Sequence, residues 1–409
     1  MTNKNMQESI QIQGHFGPIR AVNSPLTLEI SPLTVFIGPQ GTGKSLVSQL
    51  LYFFRDAQYL ISTYSKQESP EISVKKVIEG IRSGELSERT FASFVMTKEG
   101  VKIQYSKQDA IKQNCDRIIT LYENNRVIPI QEFRKEIQEW LEKVTIDPSV
   151  LGEITSNALF IPAERSFFSR LINSDPASLG GRELPITMRE FTKALFKAAN
   201  THQKWQEQSQ DKPLEVNEID GMITYELGGY AVFSKSAYSR KWQWMPDQSD
   251  RPIEIEMASS GQMETWPMVS ISQAMFGWET SQRPLFIHIE EPETHLHPSA
   301  QIAIAQLLAY LRNKGFRLVI TTHSIFILYV LNNLILAAQN LPQEKFKNLP
   351  DPSQRLTSNQ LSAYLFSDGT AISIRDDKSG ELDESKLSSV LGDLEVQYNQ
   401  IQAYDILWE

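Results

Sequence analysis

The 409-residue chain holds one cysteine, Cys115, so neither an intrachain disulfide framework nor a multi-cysteine zinc site can be built from it. A single thiol fits a reducing compartment. A basic excess is also missing. Lys and Arg number 40 against 49 Asp and Glu, a net charge of −9, which speaks against coating nucleic acid through bulk charge and leaves only a local basic patch open. The longest apolar run, Ile325–Ala338, is shorter than the ~20 residues a membrane-crossing helix needs and contains Asn332 and Asn333, so a buried helix is expected. Met1–Gln13 is polar and has no hydrophobic stretch of the secretory type. These absences point to a soluble, cytoplasmic chain with no membrane partner. Internal repeats are absent too. Gln108–Val144 has helical spacing but breaks at Asn124–Pro129 and sustains no run of heptads, which excludes long coiled-coil arms. Apolar residues make up 41% and charged residues 22%, so the chain can bury a sizeable core and is not of disordered composition.

Two stretches carry the strongest local signals. Leu26–Ile30 alternates, and Leu33–Ile37 is a short apolar strand feeding Gly38-Pro39-Gln40-Gly41-Thr42-Gly43-Lys44-Ser45, after which Leu46–Phe54 turns helical. This is GxxxxGK[ST] in its strand–loop–helix setting. Glycines let backbone N–H groups close around phosphate oxygens, and the helix N-terminus adds its positive dipole end. Lys44 would reach the β- and γ-phosphates of ATP, and the Ser45 hydroxyl would ligate Mg²⁺.

The second stretch, Leu285–Ile289, is another apolar strand, ending in Glu290-Glu291-Pro292-Glu293. A buried strand delivering two carboxylates at its end has the Walker B pattern. The first, Glu290, assists the metal, and the second, Glu291, polarises the attacking water. Glu290 stands where Asp is usual, so metal geometry there is shifted by about one methylene.

Ser259-Ser260-Gly261-Gln262 opens a helical run, Met263–Met275, whose first turn Pro267 should limit. Ser260, Gly261 and Gln262 resemble the ABC signature segment, and a serine and glycine at a helix N-terminus suit a γ-phosphate. A third apolar strand, Leu318–Thr322, ends at His323-Ser324, with a helix expected over Ala300–Leu311. His295 and His297, two apart on a turn without further ligands, make no metal site.

Taken together, these motifs resemble the ABC-type ATPases of the RecF/SMC class, and most closely the ATPase module of the OLD (overcoming lysogenization defect) family and its stand-alone relatives. EEPETHLHP, TTHS and Phe160–Ser166 carry the likeness. The resemblance implies an α/β fold, a mixed sheet flanked by helices in the manner of an ABC-type P-loop head. It implies ATP and Mg²⁺ as cofactors, His323 beside the γ-phosphate, and a head-to-tail homodimer in which Ser260-Gly261-Gln262 reads the partner's ATP. It further implies a separately encoded effector such as a nuclease, in anti-phage defence or DNA maintenance, with DNA contact left open. The alternative reading is a protein-binding scaffold with negligible hydrolysis. The TOPRIM nuclease domain of OLD proteins is not expected, because ~80 residues after His323 are too few for it. No Gln marks a Q-loop, and Glu164 or Arg165 could fill that place.

The expected organisation is an ATPase core over 1–55, a mainly helical insertion over 56–157, and a core strand and turn over 158–166. An α+β insertion follows over 167–251, then the core again over 252–375 and a helical tail over 376–409. Within the second insertion, Asn173–Leu184 reads as a linker, Met188–Gln208 as a helix, and Met222–Tyr225 and Tyr230–Phe233 as strands. Lys235, Arg240 and Lys241 interleave with Tyr238, Trp242 and Trp244, a cluster that either binds nucleic acid by stacking or forms a partly buried hairpin face. Ala363–Thr370 reads as a hairpin turning at Asp-Gly.

Overall fold

The computed structural model describes residues 8–55, 71–73, 102–107, 127–129, 158–171, 173, 186–207, 212–235, 240–280, 283–339, 349–376, 379–383 and 396. In chain order the elements are β1 (Glu8–Phe16), β2 (Ile19–Ile30), β3 (Leu33–Ile37), α1 (Lys44–Arg55), β4 (Glu71–Ser73), β5 (Lys102–Lys107), β6 (Val127–Pro129), β7 (Ala158–Ile161), α2 (Arg165–Leu171), α3 (Ile186–Glu207), α4 (Leu214–Leu227), β8 (Gly229–Lys235), β9 (Arg240–Pro246), β10 (Ile253–Glu254), α5 (Ser260–Phe276), β11 (Phe286–Glu290), α6 (Pro298–Asn313), β12 (Arg317–Thr322), α7 (Ile325–Leu336), β13 (Leu361–Ser367) and β14 (Thr370–Ser373).

The central sheet runs β14-β13-β3-β12-β11-β7. β13, β3, β12, β11 and β7 are parallel, and β14 alone is antiparallel, turning back at Asp368-Gly369 as a two-residue hairpin. Both turn residues have positive φ, +48° and +79°, which is what such a turn demands of its central pair. Parallel strands are buried on both faces, and the sequence shows why these are. Leu33, Val35 and Ile37 of β3, with Ile287 and Ile289 of β11, face one core shared with α3, α4, α5, α6 and α7. Phe36, Phe286 and Val319 point the other way, into a second core filled by α1 and the β1–β2 hairpin. An expected mixed sheet flanked by helices is therefore present.

In the second core a polar network ties β11 to α1. Arg55 donates to both Glu8 carboxylate oxygens at 2.9 Å and from Nη1 to His288 Nε2 at 3.1 Å. Guanidinium is only a donor, so Nε2 must accept and Nδ1 must carry the imidazole proton, which it gives to the Ser48 hydroxyl 3.2 Å away. Burial, then the neighbouring Arg55 charge, hold the His288 pKa well below its ordinary value, so the ring stays neutral.

Several expectations need correction. Met222–Tyr225 is helical, part of α4, whose Val216, Ile219, Ile223 and Leu227 recur at helical spacing on the buried side. Of the first insertion only three strands are described: β4 pairs with β6, and β5 adds to the edge of β1 from Glu8↔Lys107 to Gln13↔Lys102. Its expected helices lie outside the described residues. Asp376 and residues 379–383 form a loop closed by an Arg375–Leu382 bridge, not helix, and almost all of the remaining tail lies outside the described residues. The apolar run is helical over Ile325–Leu336, as expected, although Phe326, Tyr329 and Leu336 on its outer face are exposed. Among the described residues, no helix is long and apolar enough to cross a membrane.

Candidate nucleotide site

Four parallel strands end on the same side, so their carboxyl ends bring the sequence motifs into one place. β3 runs into the P-loop, β11 into Glu290-Glu291, β12 into His323-Ser324 and β7 into Pro162–Arg165. The register sets Glu290 opposite Thr321, and Thr322 opposite Ile37.

The P-loop backbone needs its glycines. Gly38, Gly41 and Gly43 have φ of +142°, +74° and +105°. A Cβ on Gly38 would also sit 2.2 Å from the Phe366 carbonyl oxygen of β13, so that position is closed to side chains on two counts. Pro39 and Gln40 are exposed, and Thr42 donates its hydroxyl to the Pro39 carbonyl at 2.8 Å. Lys44 Nζ reaches back to the carbonyls of Gly38 and Pro39, 2.8 and 2.7 Å away. Burial lowers the Lys44 pKa, while the charges of Glu291 and Glu293 oppose that shift. The amine thus lies within the field of the Walker B carboxylates.

Glu290 is buried and hydrogen-bonded by Ser45 and Gln49 of α1. Desolvation pushes its pKa up to about 7, against those two hydrogen bonds and with help from the Glu164 and Glu291 charges. Its Oε1, Gln49 Oε1 and Glu293 Oε2 are buried without partners among the described residues. Orphaned buried oxygens are costly, and oxygens are what Mg²⁺ binds. Ser45, Glu290 and the glycine cradle therefore fit Mg²⁺ and a nucleotide triphosphate.

Glu291 is less buried than Glu290, and its Oε1 lies 3.2 Å from His323 Nε2. Its own backbone is left-handed, φ +43°, a strained setting for a residue with a Cβ. Four hydrogen bonds hold it there. Its N–H donates to the Thr321 carbonyl at 2.8 Å, and its carbonyl accepts from Thr294 N and Oγ1 and from Arg165 Nη2.

Glu293, given no role in the sequence reading beyond its place in the acidic run, fixes the segment that follows β12. Its Oε1 accepts from Thr322 Oγ1 at 2.6 Å, His323 N at 2.7 Å and Ser324 N at 3.1 Å. A third carboxylate three positions beyond the strand, flanked by Pro292 and Thr294, was the available signal. It turns back onto the neighbouring strand end instead of facing water.

The signature segment is placed differently from the expectation in its details. The helix N-cap is Ser259, whose hydroxyl accepts from Gln262 N, while the Gln262 side chain accepts from Ser259 N at 2.8 Å and donates to the Leu227 carbonyl at 2.7 Å. Gln262 is thus committed to a capping box and to α4, not free to reach a nucleotide. Ser260 is exposed at the first helical position. Gly261 is buried against the turn after β11, where a Cβ would meet the His295 carbonyl oxygen at 2.6 Å. The described hydrogen bonds connect neither Ser260 nor Gln262 to Gly38–Ser45. His297 caps α6 through its side chain, which accepts from Ser299 N.

Pro267 lies inside α5 without ending it. It has no N–H for the Met263 carbonyl, and Ser169 of α2 supplies the missing donor at 2.6 Å. Arg165 is wholly buried, so it does not stand at the edge of the site as a Q-loop residue would; Glu164 beside it is exposed. The basic-aromatic cluster is a hairpin face. Trp242 and Trp244 are buried and cannot stack on bases, and Lys241 pairs with Glu254 at 2.5 Å. Tyr238 lies outside the described residues.

The sequence profile of the AAA ATPase domain family matches residues 63–328, more than half of the chain and starting downstream of the P-loop. No curated protein matches. Among solved structures, an Smc head domain with an extended coiled coil bound to the C-terminal domain of ScpA, from Pyrococcus furiosus, is 11% identical, with 95% of this chain and 99% of that one covered and a TM-score of 0.42. The SMC head domain from Thermotoga maritima is 9% identical, covering 91% and 99%, TM-score 0.37. A nucleotide-free ATP-binding cassette from an ABC transporter is 13% identical, covering 91% and 93%, TM-score 0.33. Strand order and motif placement, not these distant likenesses, define the fold. A P-loop, an acidic strand end and a strand-end histidine converge at the carboxyl ends of the parallel strands, and over most of its length the chain belongs to the AAA ATPase domain family.

Proposed function

We propose that this ATPase works as an ATP-driven head-to-tail homodimer of the OLD/RecF kind that controls a separately encoded effector, a nuclease being the first candidate, in anti-phage defence or DNA maintenance. The observation that carries the hydrolytic part is the Glu291–His323 pair, 3.2 Å apart at the end of β11 and beside the P-loop lysine's field. Glu291 accepts a proton from the attacking water, and His323 holds that carboxylate and faces the γ-phosphate. Lys44 leaves the Gly38 and Pro39 carbonyls for the phosphates. Ser45 and Glu290 would hold Mg²⁺, which supplies charge neutralisation at the β- and γ-oxygens.

The dimer is supported by an exposed Ser260 at the start of a buried helix, on a segment whose described hydrogen bonds do not reach its own P-loop. A partner's nucleotide would occupy that N-terminus, giving two equivalent composite sites. The core divisions expected from the sequence, with insertions over 56–157 and 167–251, are kept as the organisation of the proposed head.

A specific observation favours the scaffold alternative. Glu290 carries one methylene more than the Asp usual at that strand end, a change in metal geometry that would slow turnover and prolong an ATP-bound state. Phosphate release with Mg²⁺ separates the two readings. The expected outcome is steady hydrolysis by the parent chain and a 10²- to 10⁴-fold slower, ATP-trapped dimer for Glu291→Gln, the range typical of a lost general base. Parental turnover by Glu291→Gln would remove Glu291 from its role. A chain that stays monomeric in ATP would refute the sandwich.

A further inference from the structure

Arg165 occupies a position that neither a phosphate contact nor a simple packing role accounts for. Its side chain has no exposure, and four of its five N–H donors are spent on main-chain oxygens from three separate elements. Nη1 donates to Pro162 O at 2.8 Å, past the end of β7, and to Glu290 O at 2.6 Å. Nη2 donates to Glu291 O at 2.9 Å, and Nε to Glu264 O of α5 at 2.6 Å. Both Walker B carbonyls and the first turns of the signature helix therefore hang on one planar group.

Two neighbours reinforce the link. Ser166 N donates to Glu264 Oε2 at 3.0 Å, and Ser169 takes the Met263 carbonyl that Pro267 leaves open. Met263 and Glu264 follow directly on Ser260-Gly261-Gln262. The guanidinium fork is rigid, so its acceptors keep fixed relative positions as long as the bonds hold. A displacement of the signature helix cannot occur without pulling on the peptide that keeps Glu291 left-handed.

We propose that Arg165, with Ser169, is a positioning residue that couples the signature helix to the catalytic carboxylate of the same protomer, so that engagement of a partner's ATP at Ser260 is felt at Glu291. This rests on the head-to-tail reading above. Arg165 touches neither nucleotide nor reacting atoms. It acts through the main chain of Glu290 and Glu291.

The test uses the full-length Glu291→Gln chain as parent and compares it with Glu291→Gln/Arg165→Lys and Glu291→Gln/Ser169→Ala. Dimerisation in saturating ATP is followed by analytical ultracentrifugation, and ATP affinity is measured on dilute monomer by calorimetry. Lysine keeps the charge but loses the fork. Its double variant should raise the dimer dissociation constant tenfold or more and leave monomer ATP affinity within threefold. Ser169→Ala should raise the dimer constant at least threefold. In the Glu291 background, Arg165→Lys should lower kcat with KM unmoved.

Dimer constants within twofold of the parent for both double variants would overturn the coupling. So would ATP affinity falling in step with dimerisation, the mark of a residue that merely supports the fold. Should the Arg165→Lys chain fail to fold, the Ser169→Ala pair decides alone by the same criterion. A parent that remains monomeric would instead refute the sandwich, and the coupling with it, an outcome distinct from matching constants in a parent that dimerises.

Discussion

Replacing Glu290 by Gln isolates the cost of a buried carboxylate. Withdrawal of water, with Glu164 and Glu291 close by, pushes the carboxyl from its ordinary 4.5 up to about 7. Between those two values the folded chain holds a proton that the unfolded chain has released, so stability falls as pH rises through that window. At pH 5 the folded carboxyl is neutral and Gln imitates it. At pH 8 it is ionised in both states, and the buried charge costs the native fold about 3 kcal/mol. Glu290→Gln should therefore stabilise the nucleotide-free chain at pH 8 relative to the parent, and by about 2–3 kcal/mol more than at pH 5. Urea unfolding followed by tryptophan fluorescence, without divalent metal, measures this directly. Adding Mg²⁺ and nucleotide should reverse the order at pH 8, since the cation answers the orphaned oxygen and Gln cannot. The same difference between parent and variant at pH 5 and pH 8 would refute the reasoning, because a buried Glu290 could not then be titrating near neutrality.

Substitutions at two further positions probe the loops around the site. Gly261→Ala forces a Cβ to within 2.6 Å of the His295 carbonyl oxygen, so it should cost about 1–3 kcal/mol in a thermal melt and reduce phosphate release by displacing the turn after β11. Unchanged melting and turnover would show that this turn yields freely. Glu293→Ala strips the acceptor from Thr322, His323 and Ser324 and should cost about 2–4 kcal/mol, with kcat lost and ATP affinity retained; Glu293→Gln, which keeps an oxygen, should recover part of both. Equal kcat in all three chains would separate Glu293 from the switch.

The legible parts of this protein are those in which a local pattern and its physical cause coincide. β3 spans the LTVFI run because five successive apolar residues suit a strand buried on both faces, and the glycines after it have no other economical use. β11, β12 and the Asp-Gly hairpin were readable for similar reasons. Met222–Tyr225 misled because a four-residue window of β-favouring types was weighed without the Val216–Ile219–Ile223–Leu227 spacing around it. The Arg165 clasp could not be read at all. Its acceptors are carbonyl oxygens, which carry no sequence identity, and they lie up to 126 positions away. Pro267 misled in a related way: an interior proline is disruptive only where nothing else serves the carbonyl it abandons, and Ser169 serves it.

The pairing of β5 with β1 bears on how this chain can be dissected. Residues 102–107 come from the stretch that looks removable, yet they finish the sheet that covers α1. Shortening the protein by cutting out 56–157 would strip β1 of a neighbour and leave a row of amides and carbonyls seeking another strand. Such a truncated chain would self-associate through its bare flank whether or not ATP were present. Oligomers seen in it would then say nothing about the nucleotide.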